Sequence, residues 1–220
     1  MAEPMDAEIL YQDQQLLFCV KPQGLISEEG GLPDRLREKL GGEIFCVHRL
    51  DKAAGGVMVY ARSQKAAAAL SRLVSARELE KEYLAVVSGR PEEPAGTMED
   101  LLYRDAGKNK SYVVKRERRG VKAARLRYCL LAEKDGLSLV RIRLETGRSH
   151  QIRVQFASRG MPLVGDAKYG SPYRDSTLAL WERRLALCHP FTGEALGFEA
   201  PPPQVWPWTM FTPTKPENDI

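Results

Sequence analysis

The 220-residue chain reads as an α+β domain, a mixed and mostly antiparallel sheet flanked by helices and loops. Three observations predict this. Short apolar, β-branched runs recur along the chain. Helical periodicity is confined to three stretches. Several connections are short enough to join antiparallel neighbours. At 43% hydrophobic residues the chain can bury a core, and 18 Gly with 14 Pro fit neither a collagen-like nor a low-complexity polymer.

The elements follow in order. Gln15 to Val20 (QLLFCV) is a strand, ended by the turn Lys21-Pro22-Gln23-Gly24. Pro33 to Leu40 is a short helix: Leu36 and Leu40 lie four apart, Pro33 opens it and Gly41-Gly42 ends it. Gly56 to Arg62 is a strand, with Gly55-Gly56 predicted as a tight turn at its head. Ser63 caps a helix whose apolar face is Ala66, Ala69, Leu70, Leu73 and Val74. Tyr83 to Ser88, Ser111 to Lys115, Ala123 to Leu131 and Leu137 to Glu145 continue the strand pattern. In the last, Val140, Ile142 and Leu144 alternate with Arg141, Arg143 and Glu145. Gly147 breaks the pattern, and Ser149 opens a helix through about Arg159, stopped by Gly160 and Pro162. Leu185 to Cys188 is strand-like, and Pro201 to Pro203 begins an extended tail. The loop around Pro91 to Gly96 is the only candidate internal boundary, so residues 1–220 are expected to form one domain.

Composition excludes several functions. No stretch approaches eighteen apolar residues, and the acidic start MAEPMDAEILYQ lacks the form of a secretory signal. Cys19, Cys46, Cys129 and Cys188 are scattered and predict buried thiols in a reducing, cytoplasmic setting. His48, His150 and His189 give no local metal-ligand spacing, and neither GxxxxGK[ST], GxGxxG nor GxSxG occurs. The net charge of +4 conceals an asymmetry. Arg104 to Arg159 holds 16 Lys+Arg against 5 Asp+Glu, and the rest of the chain is acidic. Such a block suits either phosphates or a solvated strand face.

Two polar segments could carry chemistry. In the first, Val47-His48-Arg49-Leu50-Asp51-Lys52, Asp51 sits on a loop entering a strand between two cations. Neighbouring positive charge favours the ionised carboxylate that a nucleophile or general base needs, though a loop Asp also serves as a plain turn residue. The second is Thr146 to Gln155 (TGRSHQIRVQ). Arg148, Ser149, His150 and Gln151 cluster at a helix start suited to anions, with His150 and Arg153 on one helix face and Ile152 and Phe156 toward the core.

Together these segments carry a resemblance. HRLDKAAGGVMVYA resembles the HRLD signature of the RluA-type pseudouridine synthases, and GRSHQIRVQFASRGMPLVGDAKYG resembles their second signature. LLFCVKPQGLI, KEYLAVVSG and LALCHPFTGEALGFEAPPP extend it over roughly residues 13 to 208, in the family's order. The resemblance implies an RNA pseudouridine synthase catalytic domain that isomerises uridine in ribosomal or transfer RNA without metal or cofactor. The base is cut from C1′ at N1, turned, and rejoined through C5, after the nucleotide has left its stack. It gives Asp51 the essential carboxylate, whether by attack at C1′ or by deprotonating the sugar. Arg49 is given the place of the flipped base. Tyr83 is given a ring stacked on the uracil and a hydroxyl near the C5 proton, and Arg153 a salt bridge to the aspartate. His48, Arg148, His150 and Gln151 are expected to support the site or touch RNA, and Gly165-Asp166 and Tyr169-Gly170 to shape a loop.

Where the family has Thr-Ser-Gly this chain has Ala54-Gly55-Gly56, losing two hydroxyls. That departure keeps open an alternative, a catalytically inactive RNA-binding protein on the same fold. A nucleoside hydrolase using Asp51 as base is a further alternative. The expected partner is RNA, with no membrane, no separate N-terminal RNA-binding domain, and a monomeric state.

Overall fold

The computed structural model describes residues 7–211. In chain order its elements are β1 (Glu8–Gln12), β2 (Leu16–Lys21), α1 (Leu32–Leu40), β3 (Phe45–Cys46), β4 (Gly55–Ala61), α2 (Gln64–Ala76), β5 (Glu80–Ser88), β6 (Ala95–Asp105), β7 (Lys110–Val114), β8 (Val121–Lys134), β9 (Leu137–Leu144), α3 (Gln151–Ala157), β10 (Leu180–Cys188) and β11 (Ala195–Glu199). Internal packing divides the chain into two units, Met1–Glu82 with Trp181–Pro201, and Tyr83–Leu180 with Pro202–Ile220. The division falls inside β5 and β10, where no loop marks it, and not at Pro91 to Gly96. The acidic start through Asp6 and the tail beyond Phe211 lie outside the described residues.

In the first unit β2 lies antiparallel between β1 and β4, and β4 runs parallel to β10, which makes the sheet mixed. β11 pairs antiparallel with β10. Leu16, Leu17, Phe18 and Cys19 are all fully buried, so β2 is covered on both faces and reads as a continuous apolar run. Leu16, Phe18, Val57, Val59, Leu185 and Leu187 form one core with Ala66 and Leu70 of α2. The predicted cap holds. Ser63 Oγ accepts from the Ala66 N–H at 3.1 Å, a contact worth about 1 kcal/mol.

Gly55 and Gly56 are not turn residues. They open β4 opposite Trp181 and Glu182. A Cβ on Gly55 would lie 2.4 Å from Trp181 Cζ3. One on Gly56, at φ 124°, would lie 2.2 Å from the Glu182 carbonyl oxygen. Only glycine admits that approach. The turn sits earlier, where the Ala54 N–H donates to the Asp51 carbonyl at 3.0 Å.

The second unit is an antiparallel succession β9-β8-β6-β7 with β7 at the edge. Val140 and Ile142 are buried while Arg143 is exposed, as the alternation predicted. α3 covers one face, with Val154 packed against Leu102 and Ala124. This helix is shorter than its sequence suggests. It has seven residues, and His150 precedes it in the left-handed conformation at φ 54°. The polar cluster is therefore a turn feeding a short helix, and His150 and Arg153 do not share a helical face.

The thiols also differ from expectation. All four are free, but Cys19 alone is buried, and Cys188 is exposed. β1, β3, β6 and β11 are strands the apolar-run criterion passes over. β6 buries only Met98 and Leu102 fully and carries Glu99, Asp100 and Arg104.

Candidate active site

Asp51 stands on the turn before β4, part-exposed, with exposed Arg49 and Lys52 beside it. The main chain holds this turn. Ser27 Oγ donates to the Leu50 carbonyl at 3.0 Å and accepts the Leu50 N–H at 3.2 Å. The Gly24 N–H donates to the Lys52 carbonyl at 2.8 Å, and Gln23 Nε2 to the Ala53 carbonyl at 2.9 Å.

Beneath it lies a residue the sequence reading passed over. Lys21 is fully buried, and its Nζ donates to the carbonyls of Pro22 at 2.9 Å, Leu25 at 2.8 Å and Lys52 at 3.4 Å. Burial pulls its pKa down to about 8, and the Asp51 carboxylate opposes that fall. The signal in the sequence was a lysine ending an apolar strand directly before Pro, the part of LLFCVKPQGLI that hydropathy cannot interpret.

Arg49 projects into solvent, its Nη1 3.1 Å from Glu28 Oε2. His48 faces inward. Its Nε2 accepts the Val59 N–H at 3.2 Å, so the neutral ring carries its proton on Nδ1, 2.8 Å from Lys81 Nζ. Burial lowers the pKa of both groups. The His48 ring is thus engaged by the protein at both nitrogens.

In the second unit Tyr83, in β5, is 5% exposed. Arg153, on α3, is buried and forms a two-point ion pair with Asp166. Nε lies 2.7 Å from Oδ2 and Nη2 2.8 Å from Oδ1, and the carboxylate side chain has no exposed surface. The Arg153 guanidinium also lies over the Tyr169 ring, 5.2 Å from its centroid. The Tyr169 hydroxyl is 2.9 Å from His150 Nδ1, accepts the Ser111 N–H at 2.8 Å, and faces the Ser111 carbonyl at 3.2 Å. Gln151 secures the preceding loop: Oε1 accepts from Thr146 Oγ1 at 2.9 Å and from the Arg148 N–H at 3.0 Å, and Nε2 donates to the Arg125 carbonyl at 3.1 Å. Arg148 donates from Nε to the Ala123 carbonyl at 2.9 Å. Asp166 and Tyr169, expected only to shape a loop, fix Arg153 directly. Among the described residues no group of three or more His, Cys, Asp and Glu is arranged to hold a metal ion, and no helix is long and apolar enough to cross a membrane.

A sequence model described as RNA pseudouridylate synthase matches residues 15–158, which include Asp51, Tyr83 and Arg153. The dual-specificity RNA pseudouridine synthase RluA of Pasteurella multocida is 34% identical, over 89% of this chain and 93% of its own length. The ribosomal large subunit pseudouridine synthase D of Pseudomonas aeruginosa is 32% identical, over 96% of this chain and 72% of its own. Human RNA pseudouridylate synthase domain containing 1 shares the fold with a TM-score of 0.79, covering 91% of this chain and 85% of its own at 24% identity. The chain belongs to the RNA pseudouridylate synthase family, in its RluA-type branch, and is an isomerase that converts uridine to pseudouridine in RNA.

Proposed function

We propose that Asp51 is the catalytic carboxylate of this isomerisation, and that the enzyme acts on a uridine in ribosomal or transfer RNA without a cofactor. The observation that carries the assignment is the buried Lys21 ammonium, which interacts with the Asp51 carboxylate while its protons are spent on the carbonyls of the same loop. A cation so placed ties the loop that carries Asp51 and keeps its turn from moving. The N1–C1′ bond of the flipped uridine breaks, the base turns, a C5–C1′ bond forms, and the C5 proton is lost as N1 gains one. Attack at C1′ and removal of a sugar proton both require Asp51 as the anion.

Motif position supports the other roles. Tyr83 stacks on the uracil and its hydroxyl serves the C5 proton, and Arg153 holds the active carboxylate. Exposed Arg49 fills the space of the departed base. His48, Arg148, His150 and Gln151 act as supports. The protein partners of His48, His150 and Gln151 favour scaffolding over RNA contact for these three. A ribosomal large-subunit enzyme among the relatives supports ribosomal RNA as the substrate to test first.

The test uses total RNA from a strain lacking the gene, incubated with the purified protein and mapped for pseudouridine by chemical modification. Asp51→Asn and Asp51→Ala are expected to give no product while binding the same RNA. Product at the wild-type rate from Asp51→Asn would overturn the assignment, and release of free uracil would identify a hydrolase.

A further inference from the structure

The basic segment is not uniform once folded. On the face of the β9-β8-β6-β7 sheet turned away from α3, Arg125 pairs with Glu99 at 3.2 Å and Glu145 at 2.9 Å, and Arg127 with Glu145 at 2.6 Å. Acidic partners bridge this part of the block. The charge at the other end is different. Residues 104–122 carry eight Lys and Arg against only Asp105 and Glu117, and Lys108, Lys115, Arg116, Arg118, Arg119 and Lys122 are exposed.

Two aromatic rings lie among these cations. Tyr103 of β6 and Tyr112 of β7 are directly opposed in the ladder, so they share one face, and Val121 of β8 lies on the other side of Tyr103. It is the outer face, because the next pair, Leu102 and Val113, packs toward Val154 of α3. Tyr112 is 36% exposed. The Arg118 guanidinium lies 4.7 Å from the Tyr103 centroid, and Lys110 Nζ lies 5.7 Å from that of Tyr112. Adjacent tyrosines on an open sheet face, rimmed by Lys and Arg, have the chemistry of a single-strand platform. The rings and the flat guanidinium stack bases, and the cations neutralise phosphates.

We propose that the Tyr103–Tyr112 face and the Lys115–Arg119 loop bind single-stranded RNA flanking the target uridine. The proposal rests on the enzyme's RNA-modifying activity but assigns affinity, not chemistry, to these residues. It commits to RNA because the two rings present π faces and the surrounding charge is cationic, a pairing that complements a polyanion carrying bases.

The full-length protein is titrated into a fluorescein-labelled oligouridine, followed by anisotropy, and folding of each variant is checked by thermal melting. The Tyr103→Ala/Tyr112→Ala pair is expected to raise Kd on the order of 10- to 100-fold, while Tyr103→Phe/Tyr112→Phe binds as wild type. Arg118→Gln/Arg119→Gln, at exposed positions, reduces the salt slope by about 0.7 per cation removed, and it tests the surface even where the alanine pair does not fold. A Kd within about twofold of wild type for a folded alanine pair, or an unchanged salt slope for the glutamine pair, overturns the proposal. Loss of oligouridine binding in these variants leaves it standing even where Asp51→Asn proves active, so the two readings fail separately.

Discussion

The Asp51 turn and the Arg153 segment are built in opposite ways. Around Asp51 the bonds are to main chain. Ser27, Gln23, Gly24 and buried Lys21 tie the carbonyls and amides of residues 50–53, while Arg49 stays exposed and Asp51 part-exposed. Around Arg153 the main contacts are between side chains, and Asp166, Tyr169 and His150 join it in a largely buried network. The first arrangement presents exposed side chains on a rigid backbone; the second immobilises the side chain itself. Substitutions of the presented groups should therefore remove chemistry and spare the fold, whereas substitutions in the interlocked network should damage both.

The largest effect tests the first half of that contrast. Asp51→Asn keeps the turn, whose bonds use its backbone carbonyl, and is expected to lower the single-turnover rate by about 10²–10⁴-fold or more with little change in melting temperature. The second half is tested at Asp166. Asp166→Asn removes the charge of the buried carboxylate that pairs with Arg153 at two points and is expected to cost about 3–5 kcal/mol in denaturant unfolding as well as lowering the rate. If Asp166→Asn lowered the rate but left stability at the wild-type value, the distinction drawn between the two regions would collapse.

The same contrast explains what could be read from the sequence. The core strands β2 and β4, the Ser63 cap and the alternation in β9 were legible because each is a local pattern of burial or capping. β6 was not, since its covered position Leu102 is packed against Ala124 of β8 and Val154 of α3, far along the chain. The HRLD loop announced itself as a dense polar cluster. Lys21 and Asp166 did not, because their work depends on burial against distant residues: Lys21 reaches Lys52 and Asp166 reaches Arg153.

Lys21 offers a finer test, because stability and activity should move in opposite directions with pH. Its ordinary value of 10.5 falls to about 8 in the folded protein, so between those limits the unfolded chain binds a proton that the folded one does not. The charged form is costly to the fold below about 8, and that cost, about 3 kcal/mol, is relieved as pH rises toward 10.5. Buried Cys19, held up at about 12, acts in the opposite sense, destabilising the fold above its ordinary value of 9.0. The contribution of Lys21 is therefore measured as the difference between wild type and Lys21→Met. Activity should fall over the same rise in pH, as the ammonium beside Asp51 is lost. Lys21→Met should show neither the wild-type rise in stability nor the alkaline fall in rate near pH 8. A rate profile in Lys21→Met that still breaks near pH 8 would assign that break to another group.

The smallest effect concerns the missing hydroxyls at 54 and 55. A side chain at 55 has no room here, because its Cβ would fall 2.4 Å from Trp181 Cζ3 and 2.9 Å from the Lys21 carbonyl oxygen, and Trp181 is held by its Nε1–H donating to the Ala200 carbonyl at 3.0 Å. The Trp181 ring occupies the space that a serine at 55 would need, so the departure from the family pattern is matched by packing within the same unit. Gly55→Ser alone is expected to destabilise by about 1–3 kcal/mol through overpacking, while adding Trp181→Leu should recover much of that loss by vacating the space. A double-mutant cycle in urea reads the coupling. Strict additivity would show that glycine at 55 answers to the Lys21 carbonyl of β2 and not to the ring of Trp181. Because Ala54 and Gly55 lie on the strand side of the turn and Asp51 at its start, the rescued double variant should turn over RNA at close to the wild-type rate. A restored fold with a depressed rate would instead extend the presented region of the Asp51 turn into the head of β4.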